Sequence, residues 1–322
     1  MGLKSSVFVS AIVLGLLSSV VACSAPAEDK KSAEEKPSKK KKDPAEDTSG
    51  ETDGDLGEDE GPTGDPVTPP PAPAAAPLIY AHTKDTLYTF DSGEKKLTEV
   101  GKLNCLPSET DRLLDIAVDG QGTIFGTTDA AFLAINPADA TCTRIVAKTG
   151  LPNSLSFVPA GTLDAAKDAL VGYAFDTSSN AVKYVRIDTI DGKMTEIGNL
   201  NPPSATTKYV SSGDIFSVAA AGNKTYVTVH KMGSTGADEL AEIDPKTGQI
   251  KTIVGNTLQS NIYGLAYWGG KAYGFSEDGN VTEINVANGV SNVITTLKKD
   301  DVAVPWFGAG VTTEAPTTPS AK

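Results

Sequence analysis

The sequence predicts an all-β domain built from about five copies of one four-stranded unit, and three observations lead to that prediction. An apolar residue followed by Asp or Asn recurs five times after residue 78. When the five repeats are aligned, turn-forming residues follow each of these pairs, and two further positions after the turn are occupied by apolar residues; we call each such position a column. The last apolar stretch of the chain supplies a strand that the first unit lacks.

The recurring pair marks a tight turn between two strands. An Asp or Asn side chain can accept a hydrogen bond from the backbone two residues later, and the glycines that follow most pairs tolerate a positive φ. Each pair with its downstream columns therefore predicts a hairpin. The pairs are Phe90-Asp91, Ile135-Asn136, Ile187-Asp188, Ile243-Asp244 and Ile284-Asn285, and the columns are Leu97, Cys142, Met194, Ile250 and Val290, then Val100, Ile145, Ile197, Ile253 and Val293.

Two more strands precede each hairpin. The nearer one is centred on Tyr80, Phe125, Val171, Tyr226 or Tyr273. A strand of small residues comes before it in four units, whereas the first unit has none and residues 307–313 have no repeat after them. If this last strand completes the first unit, the repeats close into a ring without an open sheet edge. The pattern predicts a single β-propeller of about five four-stranded blades over residues 78–313; six blades are also compatible, because residues 160–168 leave room for irregular strands.

The first 22 residues have the pattern of a signal peptide. Lys4 gives a positive start, residues 7–17 form an apolar run too short to span a bilayer, and small residues precede Cys23. This segment resembles the lipobox of bacterial lipoproteins, which implies cleavage before Cys23 and a lipid anchor on it. Because Ser24 rather than Asp follows the cysteine, the resemblance implies the outer membrane. An ordinary secretory signal with an incidental cysteine is the alternative.

Residues 23–77 are predicted to be the lipidated cysteine and a disordered tether. Residues 24–65 contain almost no large apolar side chain and residues 69–77 are rich in Pro and Ala, so this segment cannot form a core. Residues 314–322 are predicted to be a disordered tail. The net charge of -13 disfavours nucleic-acid binding, which depends on Lys and Arg. We expect a monomer attached to the membrane only through its lipid, with a protein, glycan or small ligand as its partner.

The repeats resemble a broad class of bacterial propellers. Residues 243–248, with the sequence Ile-Asp-Pro-Lys-Thr-Gly, and residues 265–267 are similar to units of NHL-type propellers and of lactonases of the senescence-marker-protein type. The resemblance covers about residues 78–313 and implies the propeller fold. For the lactonases it also implies a divalent cation held at one mouth of the channel by carboxylate and amide oxygens. The glutamate ligand of that family has no match in this chain.

Inner strands of a propeller line its central channel, so their alignment selects candidate ligand-binding residues. One level of the aligned strands contains Asp115, Ser156, Ser217, Gly264 and Gly308. The level three residues earlier contains Arg112, Asn153, Asp214, Asn261 and Pro305, with Trp306 next to the last. We therefore predict Arg112, Asp115, Asn153, Asp214, Asn261 and Trp306 as candidate ligand-binding residues at a channel mouth. The simpler interpretation is that these side chains cap strand ends and face solvent.

The carboxylates and amides of this set are ligand types that calcium or magnesium prefers. Arg112 would oppose a cation, so we assign no cofactor, and calcium remains an open alternative. The sequence contains no nucleophile elbow, P-loop or dinucleotide fingerprint after a strand. We expect His82 and His230 to be structural or exposed to solvent, because neither has a partner Cys or His near it in the sequence.

Cys105 and Cys142 are an even pair in an exported chain, which predicts a disulfide between neighbouring blades. The alternative is that Cys142 is only the apolar member of its column and that Cys105 is a free thiol.

Two functions remain open from the sequence. The first is a non-enzymatic binding or scaffolding module of the cell envelope. The second is a metal-dependent hydrolase of the lactonase type that would use Asp115, Asn153, Asp214 and Asn261.

Overall fold

The computed structural model describes residues 79–319. The predicted signal peptide, Cys23 and the tether lie outside these residues. Five four-stranded antiparallel sheets form a five-bladed β-propeller. The prediction of five blades is confirmed, and the six-bladed alternative is wrong because residues 160–168 contain no strand. Within residues 79–319 no helix is long and apolar enough to cross a membrane.

The blades follow one another in chain order, apart from the closing strand. Blade 1 contains β1 (Ile79–His82), β2 (Thr86–Asp91), β3 (Lys96–Lys102) and the innermost strand β22 (Gly308–Gly310). Blade 2 contains β4 (Leu113–Val118), β5 (Ile124–Thr128), β6 (Ala131–Ile135) and β7 (Cys142–Ala147). Blade 3 contains β8 (Leu155–Val158), β9 (Ala169–Asp176), β10 (Ala181–Ile187) and β11 (Met194–Asn199).

Blade 4 contains β12 (Tyr209–Val218), β13 (Lys224–Lys231), β14 (Glu239–Ile243) and β15 (Ile250–Asn256), with a 3-10 turn (Ala219–Ala221) after β12. Blade 5 contains β16 (Ile262–Trp268), β17 (Lys271–Ser276), β18 (Asn280–Ile284) and β19 (Ser291–Thr296). A short hairpin of β20 (Lys298–Lys299) and β21 (Val302–Ala303) leads to β22.

The recurring Asp or Asn makes the predicted turn in every blade. Its Oδ1 accepts a hydrogen bond from the backbone N–H two residues later, at 2.8–3.0 Å. The acceptors are Asp91, Asn136, Asp188, Asp244 and Asn285. The repeat seen in the sequence is therefore the turn between the third and the outermost strand of each blade.

The ring closes where the sequence predicts it. β22 pairs antiparallel with β1, opposite residues being His82 with Gly308, Ala81 with Ala309 and Tyr80 with Gly310. Blade 1 therefore consists of strands from both ends of the propeller. This pairing leaves no blade with an unpaired inner strand.

Large apolar side chains fill the spaces between neighbouring blades. Trp306 is the largest fully buried side chain, and its ring packs edge-on against Tyr88 and Phe275. Its indole N–H donates to the Gly279 carbonyl at 3.0 Å, so the polar atom of the ring is satisfied in the core.

The C-terminal segment crosses the end of the channel where the inner strands finish. Thr313 Oγ1 donates to Asp168 Oδ2 at 2.6 Å, and the Thr313 carbonyl accepts from Ala219 N at 3.0 Å. The Pro316 carbonyl accepts from Gly269 N at 2.8 Å, and Ala315 is fully buried. The packed domain thus continues past residue 313, which is the end predicted from the sequence, and residues 320–322 lie outside the described part.

The two propeller cysteines lie at bonding distance. Cys105, in the loop after blade 1, and Cys142, at the start of β7, have their sulfurs 2.09 Å apart and their Cα atoms 5.5 Å apart. The structure thus joins the two blades covalently through their outer parts.

Candidate functional site

Strand pairing defines which inner-strand residues lie at the same level of the channel. In each blade one inner-strand residue lies opposite a Gly, Ala or Val of the second strand, and the residue just before it in the chain faces the axis. The opposed pairs are Ile116 with Gly126, Leu155 with Gly172, Ile215 with Val227, Leu265 with Gly274 and Ala309 with Ala81. The axial ring is therefore Asp115, Ser154, Asp214, Gly264 and Gly308.

This ring corrects the sequence alignment in two blades. The alignment placed Ser156 and Ser217 level with Asp115, but the structure places Ser154 and Asp214 there. Asp214 is therefore not a residue of the mouth. The pairing of β12 with β13 shifts register between Ser211 and Ile215, and the alignment had no means of allowing for this irregularity.

Asp115 and Asp214 tie the inner strands of four blades together. Both side chains are fully buried. Leu155 N donates to Asp115 Oδ2 at 2.5 Å and to Asp214 Oδ1 at 3.3 Å. Asp214 also accepts from Ile215 N at 2.6 Å and from Leu265 N at 3.2 Å. The two carboxyl groups, which belong to blades 2 and 4, thus satisfy backbone donors of blades 3, 4 and 5.

The two carboxyl groups are also hydrogen-bonded to each other, which requires a proton between them. Burial raises the pKa of both, and the neighbouring Asp214 raises that of Asp115 further. The pair therefore holds a proton at neutral pH.

His82 completes this axial cluster from the neighbouring strand β1. Its Nδ1 lies 2.8 Å from the Thr83 carbonyl, which assigns the ring proton to Nδ1. Its Nε2 lies 3.9 Å from Asp115 Oδ1, and neither atom has a hydrogen-bond partner among the described residues. Complete burial lowers the pKa of His82 to about 4, so the ring is neutral at physiological pH.

Two glycines make room for these polar side chains. A Cβ at Gly308 would overlap both Asp115 Oδ1 and His82 Nε2, and a Cβ at Gly264 would overlap the backbone of Gly308. The small axial positions predicted from the sequence therefore have a definite role. They leave the axis to His82, Asp115 and Asp214.

The residues one step before the axial ring form the floor of an open hollow at the channel mouth. Its volume is about 350 Å³. The pairing irregularities in blades 2, 4 and 5 fall just before the axial residue, where a bulge can turn a side chain out of the sheet. The floor consists of Leu114, Asn153, Gly213, Tyr263 and Phe307, and the wall of Arg112, Ser212, Glu277, Pro305 and Trp306.

Two side chains of opposite charge stand in this hollow, which we call the mouth hollow. Arg112 donates through Nε to Asp129 at 3.2 Å and has its guanidinium carbon 5.9 Å from the centre of the Phe307 ring. Glu277 accepts from Asn261 Nδ2 at 2.7 Å. Burial, followed by the Glu277 charge, raises the pKa of Tyr263, so its hydroxyl stays protonated at neutral pH.

A second, more apolar hollow adjoins the first. It has a volume of about 240 Å³ and is lined by Asn153, Tyr173, Phe175, Val182, Val210 and Ser211. Asn153 lines both hollows. We call this one the side hollow.

The structure separates the six predicted site residues. Arg112, Asn153 and Trp306 line the mouth hollow, although Trp306 is mainly a core residue. Asp115 and Asp214 lie buried at the axis below it. Asn261 supports Glu277 from an exposed position. The oxygens considered for a cation are therefore divided between buried and exposed positions, and calcium binding stays an untested alternative.

Sequence reasoning missed His82, Ser154, Tyr263, Glu277 and Phe307. His82 could have been found by aligning the second strand of each blade. The register places it level with Thr127, Tyr173, Thr228 and Phe275. His82 is the one residue at this level that can carry a positive charge.

Comparisons with known proteins add only general similarity. No protein-family profile matches the chain. A search of curated proteins also found no match.

Solved structures that share the general shape include a chain of a nidogen/laminin complex, with a TM-score of 0.42, 10% identity and coverage of 75% of this chain and 99% of that one. A protein of unknown function from Bacteroides caccae has a TM-score of 0.35 and 12% identity, covering 70% of this chain and 74% of that one. A protein from Lactobacillus plantarum has a TM-score of 0.36 and 14% identity, covering 72% and 70%.

Proposed function

We propose that this chain is an outer-membrane lipoprotein whose propeller binds a small polar ligand in the mouth hollow. One observation carries the binding proposal: each of the five blades contributes one residue to the lining of the same hollow. Together with its wall, the hollow offers aromatic faces, an amide, a hydroxyl and both signs of charge. Ligand sites combine such polar groups with apolar surface.

The lipid anchor is supported by the residues around Cys23, and the tether by the composition of residues 24–77. Anchor and tether would hold a binding domain at the membrane while leaving its faces accessible. Replacing Cys23 by Ser should release the protein from the membrane fraction. Continued fractionation with membranes would contradict the anchor.

Filling the mouth hollow tests the binding proposal. Asn153 is exposed and lines both hollows, so Asn153→Trp should block them without disturbing the core. Asn292→Trp is the matched control, because Asn292 is an exposed residue of the outer strand β19. A library of small polar compounds is screened by thermal shift on the purified full chain and both variants.

We expect compounds that raise the melting temperature of the wild type and of Asn292→Trp but not of Asn153→Trp. If every stabilising compound acts equally on Asn153→Trp, the mouth hollow is not the binding site.

A further inference from the structure

The channel mouth is chemically divided between its two sides. Blades 5, 1 and 2 contribute Glu277, Phe307 and Arg112, so this side is charged and aromatic. Blades 3 and 4 contribute the apolar wall of the side hollow, including Phe175 and Val210. Because Asn153 lines both hollows, the two hollows meet at this residue.

The charged side offers two complementary groups that do not pair with each other. Arg112 pairs with Asp129, and Glu277 accepts from Asn261, so each side chain is held in place by a residue outside the mouth hollow. The contact to Asp129 uses one of the five N–H groups of the guanidinium. Glu277 accepts from Asn261 and from the Tyr263 hydroxyl, which are two of the about four hydrogen bonds that a carboxylate can accept. The remaining capacity suits one ligand carboxylate and one ligand ammonium group.

The apolar side offers space for a single large side chain. Phe175 is 51% exposed, so a large part of its ring faces water beside the side hollow. The buried Tyr173 and Val182 form the back of the same hollow. An apolar group placed there would cover Phe175 and remove its ring from water.

We propose that the ligand of the mouth is a zwitterionic α-amino acid with a large apolar side chain. Its carboxylate would lie against Arg112, its ammonium group against Glu277 and its side chain in the side hollow. This inference rests on the proposed function, since it names the ligand class of that same site.

The test compares four probes that differ by one group. Isothermal titration of the purified full chain is carried out with L-phenylalanine, which carries all three groups. The other probes each lack one group: 3-phenylpropionate lacks the ammonium group, 2-phenylethylamine lacks the carboxylate, and glycine lacks the side chain. We expect L-phenylalanine to bind at least about tenfold more tightly than each of the others, the usual effect of losing one charged hydrogen-bonded group or a buried aromatic ring.

Three exposed residues provide variants that identify each contact. Arg112→Gln should abolish the preference for L-phenylalanine over 2-phenylethylamine. Glu277→Gln should abolish the preference for L-phenylalanine over 3-phenylpropionate. Phe175→Ser should weaken the binding of L-phenylalanine and leave the affinity for glycine unchanged. Circular dichroism and the melting temperature show whether each variant is folded.

The inference would be overturned if all four probes bound the wild type with equal affinity. It would also be overturned if Arg112→Gln lowered the affinity for all four probes by the same factor. If other compounds bind in a way that Asn153→Trp blocks while L-phenylalanine does not bind, the proposed function stands and only this inference fails. If Asn153→Trp blocks no compound at all, both fail.

Discussion

Replacing His82 by Gln should change how the stability of the propeller depends on acid. His82 is fully buried beside Asp115, and its pKa is lowered from 6.5 to about 4 because burial disfavours the charged ring. In the unfolded chain the same ring takes up a proton near pH 6.5. Between these values the unfolded state binds more protons than the folded state, so stability falls as pH falls from 6.5 through 4.

The magnitude follows from the gap between the two pKa values. A gap of about 2.5 pH units corresponds to about 3 kcal/mol of folding free energy, lost in the wild type between pH 7 and pH 4. Gln has no proton to gain in this range. The difference in unfolding free energy between wild type and His82→Gln should therefore shrink by about 3 kcal/mol over the same interval.

The assay is urea denaturation at a series of pH values from 4 to 7. His230→Gln is the control, because it removes the other histidine of the chain, which is a third exposed, and leaves the axis intact. The paired Asp115 and Asp214 contribute their own pH dependence to the wild type and to both variants. If the wild type and His82→Gln lose stability in parallel, the assignment of a buried neutral histidine is wrong.

Three further predictions concern the axis and the disulfide. Because the pKa of the axial carboxyl pair is raised, the pair contributes a loss of stability as pH rises from about 4 through its folded pKa, opposite in sign to the contribution of His82. In the His82→Gln background, where only the carboxyl contribution of the axis remains, adding Asp115→Asn should therefore give a flatter profile in the same denaturation assay. A steeper profile would contradict the shared proton. Gly308→Ala should cost about 2–3 kcal/mol through overlap at the axis, whereas Gly236→Ala, in an exposed loop, should change the unfolding free energy by less than about 0.5 kcal/mol. Equal effects would show that the axis can relax. Peptide mapping without reductant should recover Cys105 linked to Cys142, and replacing both by Ser should cost about 3–4 kcal/mol for a separation of 37 residues; two unlinked peptides would refute the bridge.

The blade repeat could be predicted because its signals are local. The hydrogen bond from Asp244 Oδ1 spans two residues, and the hairpin around it follows from alternating apolar residues. The closing strand could be predicted for a related reason. Residues 307–313 had strand character but no hairpin of their own, and only blade 1 lacked an inner strand.

The candidate site could be predicted only in part. Arg112 and Asn153 were found because the sequence places them just before apolar strands. Asp214 was assigned to the wrong level because an irregular strand shifts the register without leaving a mark in the repeat spacing. Glu277 was not considered, since it follows a second strand and reaches the mouth only through the loop of blade 5.

The sequence by itself determined the four-stranded unit and its order, the turns within it and the ring closure, because each depends on neighbouring residues or on the repeat. It left the choice between five and six blades open and did not show the hairpin of β20 and β21. Only the tertiary structure decided which side chains meet at the channel. His82, Asp115 and Asp214 come from three blades, and their contacts depend on strand register and on the space left by Gly308. Such contacts between residues distant in the chain have no local pattern in the sequence.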